Sequence, residues 1–170
     1  MGRSGFLVLL ALLAIEDPPR DGVVEALATC RRAGIRVAMM TGDNARTAAA
    51  IAREVGLLGA TGVVVEGSAL PADDGALADL LDNPDGAVGA RVTPADKLRI
   101  AGALRRHGHV VAMTGDGVND AAALRGADVG VAMGRSGSDV ARQAADLVLL
   151  DDHFETIVRG IELGRATYAN

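Results

Sequence analysis

The residues best suited to chemistry lie in one short stretch, Thr114-Gly-Asp-Gly-Val-Asn-Asp120, which follows the apolar run Val110–Met113. An apolar run that ends in a glycine-rich acidic loop is typical of a buried strand with a polar site at its tip. Asp116, Asn119 and Asp120 offer hard oxygen atoms, and two carboxylates this close repel each other unless a cation lies among them. Such donors suit Mg²⁺ better than zinc or iron. A lone Asp-Gly pair is more often a solvated turn, but the whole loop favours a cation site.

A second polar tip follows another apolar run. Residues Ile35–Met40 lead into Thr41-Gly-Asp-Asn44, so the sequence Thr-Gly-Asp occurs twice, each time after a predicted buried strand. In parallel sheets, ligands bind beyond the carboxyl ends of the strands. The duplication could be coincidence, but two polar tips of the same kind predict one shared cleft.

The chain contains 16 arginines and one lysine, Lys97. A sequence with so strong an arginine bias is expected to use arginine at an ordinary surface position as well. Lysine offers a compact charge with three rotatable donors, whereas arginine offers a planar fork. Beside a carboxylate and a transferring phosphoryl group, the compact charge is the more adaptable choice. The alternative is that one lysine is present by chance. Against this alternative, Lys97 lies in the first turn of a helix that is predicted to begin after Thr93-Pro94.

Composition excludes several classes of protein. The 170 residues suffice for one α/β domain, and with 49% apolar but 2% aromatic residues its core must consist of Ala, Val, Leu and Ile. A net charge of −5 and the lack of a basic stripe make nucleic acid an unsuitable partner. The single cysteine, Cys30, cannot form an internal disulfide and is interpreted as core packing. The apolar segment Phe6–Ile15 spans roughly 15 Å as a helix, too short to cross a bilayer, and a buried strand is predicted instead.

Strand and helix patterns alternate along the whole chain, and several strands are apolar on both faces. This pattern predicts an α/β fold of three layers, Rossmann-like, with a mostly parallel sheet and helices on both faces. The last helix is predicted over Phe154–Tyr168. One loop, Gly134-Arg-Ser-Gly137, could bind an anion, but its composition equally describes a plain loop. The predicted strands are 6–15, 35–40, 62–66, 87–92, 109–113, 128–133 and 147–150.

Taken in order, these motifs resemble those of the phosphorylation domain of P-type cation-transporting ATPases, which has the haloacid dehalogenase fold. The resemblance covers nearly all of the chain from about Phe6. The hinge-like segment and the Asp151-Asp152 pair are more similar to the calcium and sodium-potassium branch than to the heavy-metal branch. The matching segments are Asp17-Pro-Pro-Arg20, Thr41-Gly-Asp-Asn44, Arg91-Val-Thr-Pro-Ala-Asp-Lys97, the loop 114–120, Ala127–Gly134 and Leu149–Val158.

The resemblance implies a catalytic role for four residues, Thr41, Lys97, Asp116 and Asp120. Asp116 and Asp120 would form the metal site for Mg²⁺, and Asp120 would also pair with Lys97. Thr41 would hold phosphoryl oxygens, and Lys97 would neutralise charge as the phosphate moves. These roles agree with phosphoryl transfer by positioning and electrostatics.

The resemblance also implies a wider set of residues that contact cofactors, which would be Mg²⁺ and, in an intact pump, ATP. Gly42 would hold phosphoryl oxygens, Asn119 would complete the polar network, and Asp43 would act nearer the nucleotide. Asp17 and Arg20 would act at the hinge. The full expected set is Thr41, Gly42, Asp43, Lys97, Asn119, Asp17 and Arg20.

The nucleophilic aspartate of that family lies in an Asp-Lys-Thr-Gly-Thr motif, and this sequence contains none. The resemblance therefore predicts one domain over residues 1–170, a partial phosphorylation domain with its hinge near 16–20 and the helix 154–168 leading toward a membrane stalk. Its partners would be the nucleotide-binding, actuator and transmembrane domains of a pump, at the cytoplasmic face of a membrane. Alone, the chain is expected to be soluble and cytoplasmic and to form no aspartyl phosphate by itself.

A missing central strand would leave a gap between the strands that end at Met40 and Met113, with unpaired backbone groups. We expect Phe6–Ile15 to fill this gap or to pair at an edge, or the chain to dimerise. Two alternative functions stay open at this point. One is a free-standing phosphatase of the same fold, for which Glu16 is the only acid at the end of the first strand. The other is a non-catalytic module that binds Mg²⁺ or phosphate and regulates a partner.

Overall fold

A computed structural model describes residues 18–169, which form an α/β fold with six parallel strands and seven α-helices. Two short 3₁₀ turns, Gly67–Ala69 and Val118–Asp120, interrupt the alternation. In chain order the elements are α1 Val23–Arg32, β1 Ala38–Met40, α2 Ala45–Glu54, β2 Val63–Glu66, α3 Asp74–Leu81, β3 Ala87–Ala90, α4 Pro94–Arg106, β4 Ala112–Gly115, α5 Ala121–Gly126, β5 Val129–Met133, α6 Asp139–Ala144, β6 Leu147–Leu149 and α7 Phe154–Tyr168.

The described strands form two separate three-stranded sheets rather than one continuous sheet. Sheet A has the order β1-β3-β2, with Met39 opposite Val88, and sheet B has the order β4-β5-β6. All of these pairs are parallel, as predicted. β1 and β4 are not paired with each other, which agrees with the expected gap between them. The segment Phe6–Ile15, predicted to fill it, lies outside the described residues.

Sheet A carries helices on both faces because neighbouring residues of β3 point to opposite sides. Val88 packs in one cluster with residues of α1 and α2, including Leu27 and Ala52. Ala87 packs on the other side with residues of α3 and α4, including Leu77 and Ile100. The predicted three-layer arrangement is therefore confirmed, and its layers consist mainly of Ala, Val and Leu.

Sheet B is covered by α5 and α6, whose buried residues pack against Ala132 of β5. The last helix, α7, packs on α1 instead, where Val158 meets Ala26 and Cys30 in a small apolar cluster. Burial raises the pKa of the Cys30 thiol, which agrees with its predicted packing role. None of the helices in residues 18–169 has both the length and the apolar character needed to cross a membrane.

Several predicted elements differ from the structure in their bounds; the strand expected over 35–40 begins at Ala38, and the strand expected over 87–92 ends at Ala90. The sequence pattern predicts a weak helix over Ala69–Leu81 that Pro71 and Gly75 interrupt, and the break at Pro71 is confirmed. Pro71 holds Leu70 in an extended conformation, so α3 begins at Asp74 with the Asp73 side chain as its cap and continues through Gly75. The strand expected from His109 begins at Ala112. The first contact between this segment and β5 is made by the Val111 carbonyl, which accepts hydrogen bonds from the N–H groups of Asp128 and Val129.

Candidate functional site

A cleft of about 340 Å³ lies at the carboxyl ends of β1 and β4, between the two sheets. The strand ends supply Thr41 and Asp116, while α4 and the turn after β4 supply Lys97 and Asp120. All four residues predicted to be catalytic therefore line one cavity. The predicted residues in its lining are Arg20, Thr41, Gly42, Lys97, Asp116 and Asp120.

Lys97 and Asp120 form an ion pair at the base of this cleft. The Lys97 Nζ lies 2.6 Å from Asp120 Oδ1, and the two side chains are 15% and 10% exposed. The start of α4 is fixed by a capping box, in which Thr93 and Asp96 satisfy each other's backbone N–H groups. Because this cap begins the helix at Pro94, Lys97 lies on its first turn, facing the cleft. The pairing implied by the resemblance is thus present.

Each oxygen atom of the Asp120 carboxylate already accepts one hydrogen bond. Its Oδ1 accepts from Lys97, and its Oδ2 accepts from the Gly117 backbone N–H at 3.1 Å. A Cβ on Gly115 would lie 2.5 Å from the Asp120 Cβ, so only glycine leaves room for this carboxylate. The geometry fits Asp120 as the counter-ion of Lys97, and its predicted role as a direct Mg²⁺ ligand stays a prediction.

Asp116 fits a cation far better. Its side chain is exposed at the cleft and makes no hydrogen bond or ion pair within residues 18–169. An unpaired carboxylate with free oxygen atoms is the kind of donor that Mg²⁺ takes, usually together with water and substrate oxygens. The Asp116 backbone carbonyl accepts a hydrogen bond from Ser138 N–H at 2.8 Å. The donor set thus supports one direct protein carboxylate at this position.

The loop after β1 turns back on itself. The Thr41 hydroxyl donates to the Asp43 carboxylate at 3.1 Å and accepts from the Asp43 N–H at the same distance. Thr41 and Gly42 line the cleft, whereas Asp43 is exposed beside it and outside its lining. Asn119 is exposed on the 3₁₀ turn and also lies outside the lining. The contacts predicted for Asp43 and Asn119 stay predictions.

Arg20, from the hinge-like segment, reaches across to the far sheet. Its guanidinium donates to the backbone carbonyl of Asp152 at 2.8 Å and to the Ser136 hydroxyl at 3.2 Å. Arg20 also lines the cleft. The other predicted hinge residue, Asp17, lies outside the described residues. The sequence alone does not indicate the hydrogen bond between Arg20 and Ser136, because the two residues are far apart along the chain.

The loop Gly134–Gly137 does bind an anion, and that anion is the carboxylate of Asp152. Asp152 Oδ1 accepts from the N–H groups of Gly134 (2.7 Å) and Arg135 (3.0 Å), and Oδ2 accepts from Ser136 N–H (2.7 Å). Asp152 is 9% exposed and adopts φ +60°. Burial raises the pKa of Asp152, but the loop N–H groups and the Ser136 hydroxyl donate hydrogen bonds that outweigh it, so the pKa falls to about 2.

The free energy of unfolding should fall at acid pH as the Asp152 carboxylate becomes protonated. The pKa is lower in the folded chain than in the unfolded chain, so the stabilisation is present above about pH 4 and is lost as pH falls through about 2. A pH titration followed by carboxyl ¹³C NMR should give a midpoint near 2 for Asp152, with the resonance assigned by its absence in Asp152→Asn. A midpoint near 4 would show that the loop does not favour the ionised form.

Three features of the site escaped prediction. Met40 and Met133 line the cleft, and each is the last residue of a predicted strand, so their apolar character indicated only packing. The third is Asp152, which the sequence pattern does not separate from its neighbour Asp151. Asp151 instead caps the turn before α7 by accepting from the Thr156 hydroxyl.

Comparison with known proteins identifies the family to which the chain belongs. A family model described as haloacid dehalogenase-like hydrolase matches residues 6–128. The chain belongs to this family. Among curated proteins it is 53% identical to a probable cation-transporting ATPase F of Mycobacterium tuberculosis, over 98% of this chain and 19% of the relative. It is 47% identical to the human calcium-transporting ATPase type 2C member 1, over 98% of this chain and 18% of that protein.

A solved structure gives the same result. The crystal structure of a zinc-transporting PIB-type ATPase in the E2.Pi state matches 91% of this chain and 20% of that chain, with a TM-score of 0.69 and 34% sequence identity. The chain thus spans about a fifth of the length of the curated relatives it matches. These relatives are P-type cation-transporting ATPases, as the resemblance implied.

Proposed function

We propose that this chain is the part of a P-type cation-transporting ATPase that handles Mg²⁺ and phosphate, in a pump that couples ATP hydrolysis through an aspartyl phosphate to ion transport. The observation that carries the proposal is the convergence of Thr41, Lys97 and Asp116 on one cleft at the carboxyl ends of β1 and β4. The kinship with cation pumps supports it.

The proposal gives each side chain a task that its geometry permits. Asp116, exposed and unpaired among the described residues, would contact Mg²⁺ directly. Lys97 would present its ammonium group to the phosphoryl oxygens, while Asp120 holds that group at 2.6 Å. Thr41 and Gly42 would hold the phosphoryl group from the other wall of the cleft. Mg²⁺, when bound, supplies positive charge that offsets the charge of the transferring group.

The remaining chemistry would come from elsewhere in the pump. The sequence has no Asp-Lys-Thr-Gly-Thr, so the carboxylate that receives the phosphoryl group would lie outside it. ATP would be bound together with a nucleotide-binding domain, with Asp43 nearest to it. Actuator and transmembrane domains would be the other partners, and the cleft would lie at the cytoplasmic face of the membrane. Asp17 and Arg20 would serve at the hinge.

The proposal is tested by titrating the chain with Mg²⁺, followed by backbone amide NMR and calorimetry. Saturable shifts at Gly115–Gly117 are expected, and Asp116→Asn should weaken binding by at least about tenfold, because it removes a direct charged ligand. Asp79→Asn is the matched control, since Asp79 is 72% exposed on α3, outside the cleft lining. Equal affinities for the two variants would refute the proposed site.

Incubation with acetyl phosphate and Mg²⁺, followed by intact-mass spectrometry, separates the alternative functions. Under the proposal the mass stays unchanged, because the chain offers no nucleophilic aspartate of the family's motif. A phosphoryl adduct would instead support a free-standing phosphatase of this fold. Glu16 would be the first position to map in the modified peptide, since it is the only acid at the end of the first predicted strand.

A further inference from the structure

The loop of residues 134–138, called the clamp loop here, is held from two sides. Its N–H groups point at the buried Asp152 carboxylate, as described above. Its carbonyls point the other way, where the Arg142 guanidinium donates to Gly134 O at 3.1 Å and to Gly137 O. A Cβ on Gly137 would overlap the Met133 carbonyl oxygen, so the loop is built around glycine at this position. The clamp loop therefore has little freedom to choose another conformation.

The last residue of the clamp loop, Ser138, contacts Asp116, the residue that is proposed to bind Mg²⁺. Ser138 N–H donates to the Asp116 backbone carbonyl at 2.8 Å. Within residues 18–169, this is the one hydrogen bond that Asp116 makes, because its side chain is exposed and unpaired. The orientation of the Asp116 carboxylate therefore depends on a backbone whose outer support is Ser138.

We propose that Asp152 is a positioning residue, which fixes the clamp loop so that Ser138 holds Asp116 in place at the cleft. The expected effect on Mg²⁺ affinity rests on the proposed function. The positioning of Asp116 itself is argued from the hydrogen bonds alone. Arg20 adds to the same support, because its guanidinium joins the Asp152 carbonyl to the Ser136 hydroxyl. The start of α7 and the hinge-like segment are thus tied to the cleft through one loop.

Aspartate suits position 152 for two reasons. Three N–H groups converge on it, so both oxygen atoms must accept. The backbone is in the left-handed region, φ +60°, where aspartate and asparagine are tolerated better than other non-glycine residues. Asp152→Asn therefore keeps the backbone and one accepting oxygen, but it turns an amide N–H₂ toward a loop N–H group.

The test compares Asp152→Asn with Asp151→Asn in the full chain. Asp151 contacts His153 N–H and the Thr156 hydroxyl, not the clamp loop, so it is a neighbouring control of identical chemistry. In Asp152→Asn, without Mg²⁺, the Ser138 amide should exchange faster with solvent and the Asp116 amide resonance should move. With Mg²⁺, affinity should fall about tenfold, the lower limit typical of residues that orient a metal ligand. Asp151→Asn should leave the Ser138 exchange rate, the Asp116 resonance and the Mg²⁺ affinity unchanged.

A second pair of variants isolates the final contact without touching Asp152. Ser138 has φ −68°, which proline adopts, so Ser138→Pro fits the local φ while it removes the N–H donor to Asp116 and places the ring Cδ against the Asp116 carbonyl oxygen. Ser138→Ala keeps that donor and removes only the hydroxyl that caps α6 at Ala141 N–H. Mg²⁺ affinity should fall about tenfold in the proline variant relative to the alanine variant.

The outcomes separate this inference from the proposed function. Unchanged Ser138 exchange and unchanged Asp116 resonances in Asp152→Asn would overturn the positioning role, whether or not Mg²⁺ binds. Where the wild-type chain binds Mg²⁺, equal affinities of Ser138→Pro and Ser138→Ala would overturn it as well. If the resonances move in Asp152→Asn but the wild-type chain does not bind Mg²⁺, the positioning of Asp116 is supported and only the proposed function fails.

Discussion

Lys97→Met is expected to lower the free energy of unfolding by about 3 kcal/mol, because it leaves the Asp120 carboxylate buried without its counter-ion. Asp120 is 7% exposed and would keep only the Gly117 N–H as a partner. Methionine preserves the length and apolar packing of the lysine stem, so the loss reports the charge rather than a cavity. Urea unfolding, followed by circular dichroism, measures the change.

A double-mutant cycle with Asp120→Asn isolates the pair itself. When both charges are absent, the double variant should recover part of the loss, with a coupling energy of about 2 kcal/mol. Arg36→Ala serves as the control, since Arg36 pairs with Asp82 at the surface, where the side chains are 48% and 27% exposed. Such exposed pairs contribute about 0.2–1 kcal/mol. A loss in Lys97→Met no larger than in Arg36→Ala would show that the cleft is wetter than the structure implies.

Gly86→Ala should be one of the most damaging single substitutions outside the cleft. A Cβ at this position would lie 2.0 Å from the Leu57 backbone carbonyl oxygen, and Gly86 has φ +91°. Neither segment can shift easily, because the Leu57 N–H donates to the Ala52 carbonyl of α2 and Gly86 precedes β3, whose Val88 is fully buried. We expect a loss of more than about 4 kcal/mol, the range reserved for severe overpacking.

Gly34→Ala is the matched control for this effect. Gly34 has φ +70°, but a Cβ there would meet nothing within 4 Å. It carries the conformational penalty alone, about 1–2 kcal/mol. The difference in urea midpoints between the two variants therefore isolates the backbone overlap. If Gly86→Ala is too unstable to purify while Gly34→Ala unfolds cooperatively, the expectation is met; similar midpoints would contradict it.

Much of this architecture follows from sequence because its causes are local. The alternation of apolar runs and helical patterns predicts the parallel strands, and Thr93-Pro94 predicts the start of α4 that presents Lys97. The two Thr-Gly-Asp tips predict one cleft, since parallel strands end on the same side. These inferences need only neighbouring residues and one rule of topology.

The features that could not be predicted depend on residues far apart in the chain. Nothing local distinguishes Asp152 from Asp151, because the difference lies in which carboxylate meets the N–H groups of the clamp loop. The contact of Arg20 with Ser136 likewise depends on how sheet B lies beside the hinge-like segment. By contrast, the break at Pro71 is local and is predicted, because proline fixes φ and lacks an amide proton, whereas the predicted interruption at Gly75 is wrong, since Gly75 lies within α3.

The separation of the two sheets has a consequence for how the chain folds. Sheet A is built from residues 38–90 and sheet B from residues 112–149, so each sheet comes from one continuous stretch, whereas α7 returns from the end of the chain to pack on α1. Contacts between near neighbours in sequence form at low entropic cost, so each half should assemble early and independently. The cleft lies on the seam, and Lys97 and Asp120 come from opposite halves. The site is therefore complete only when the two halves are docked.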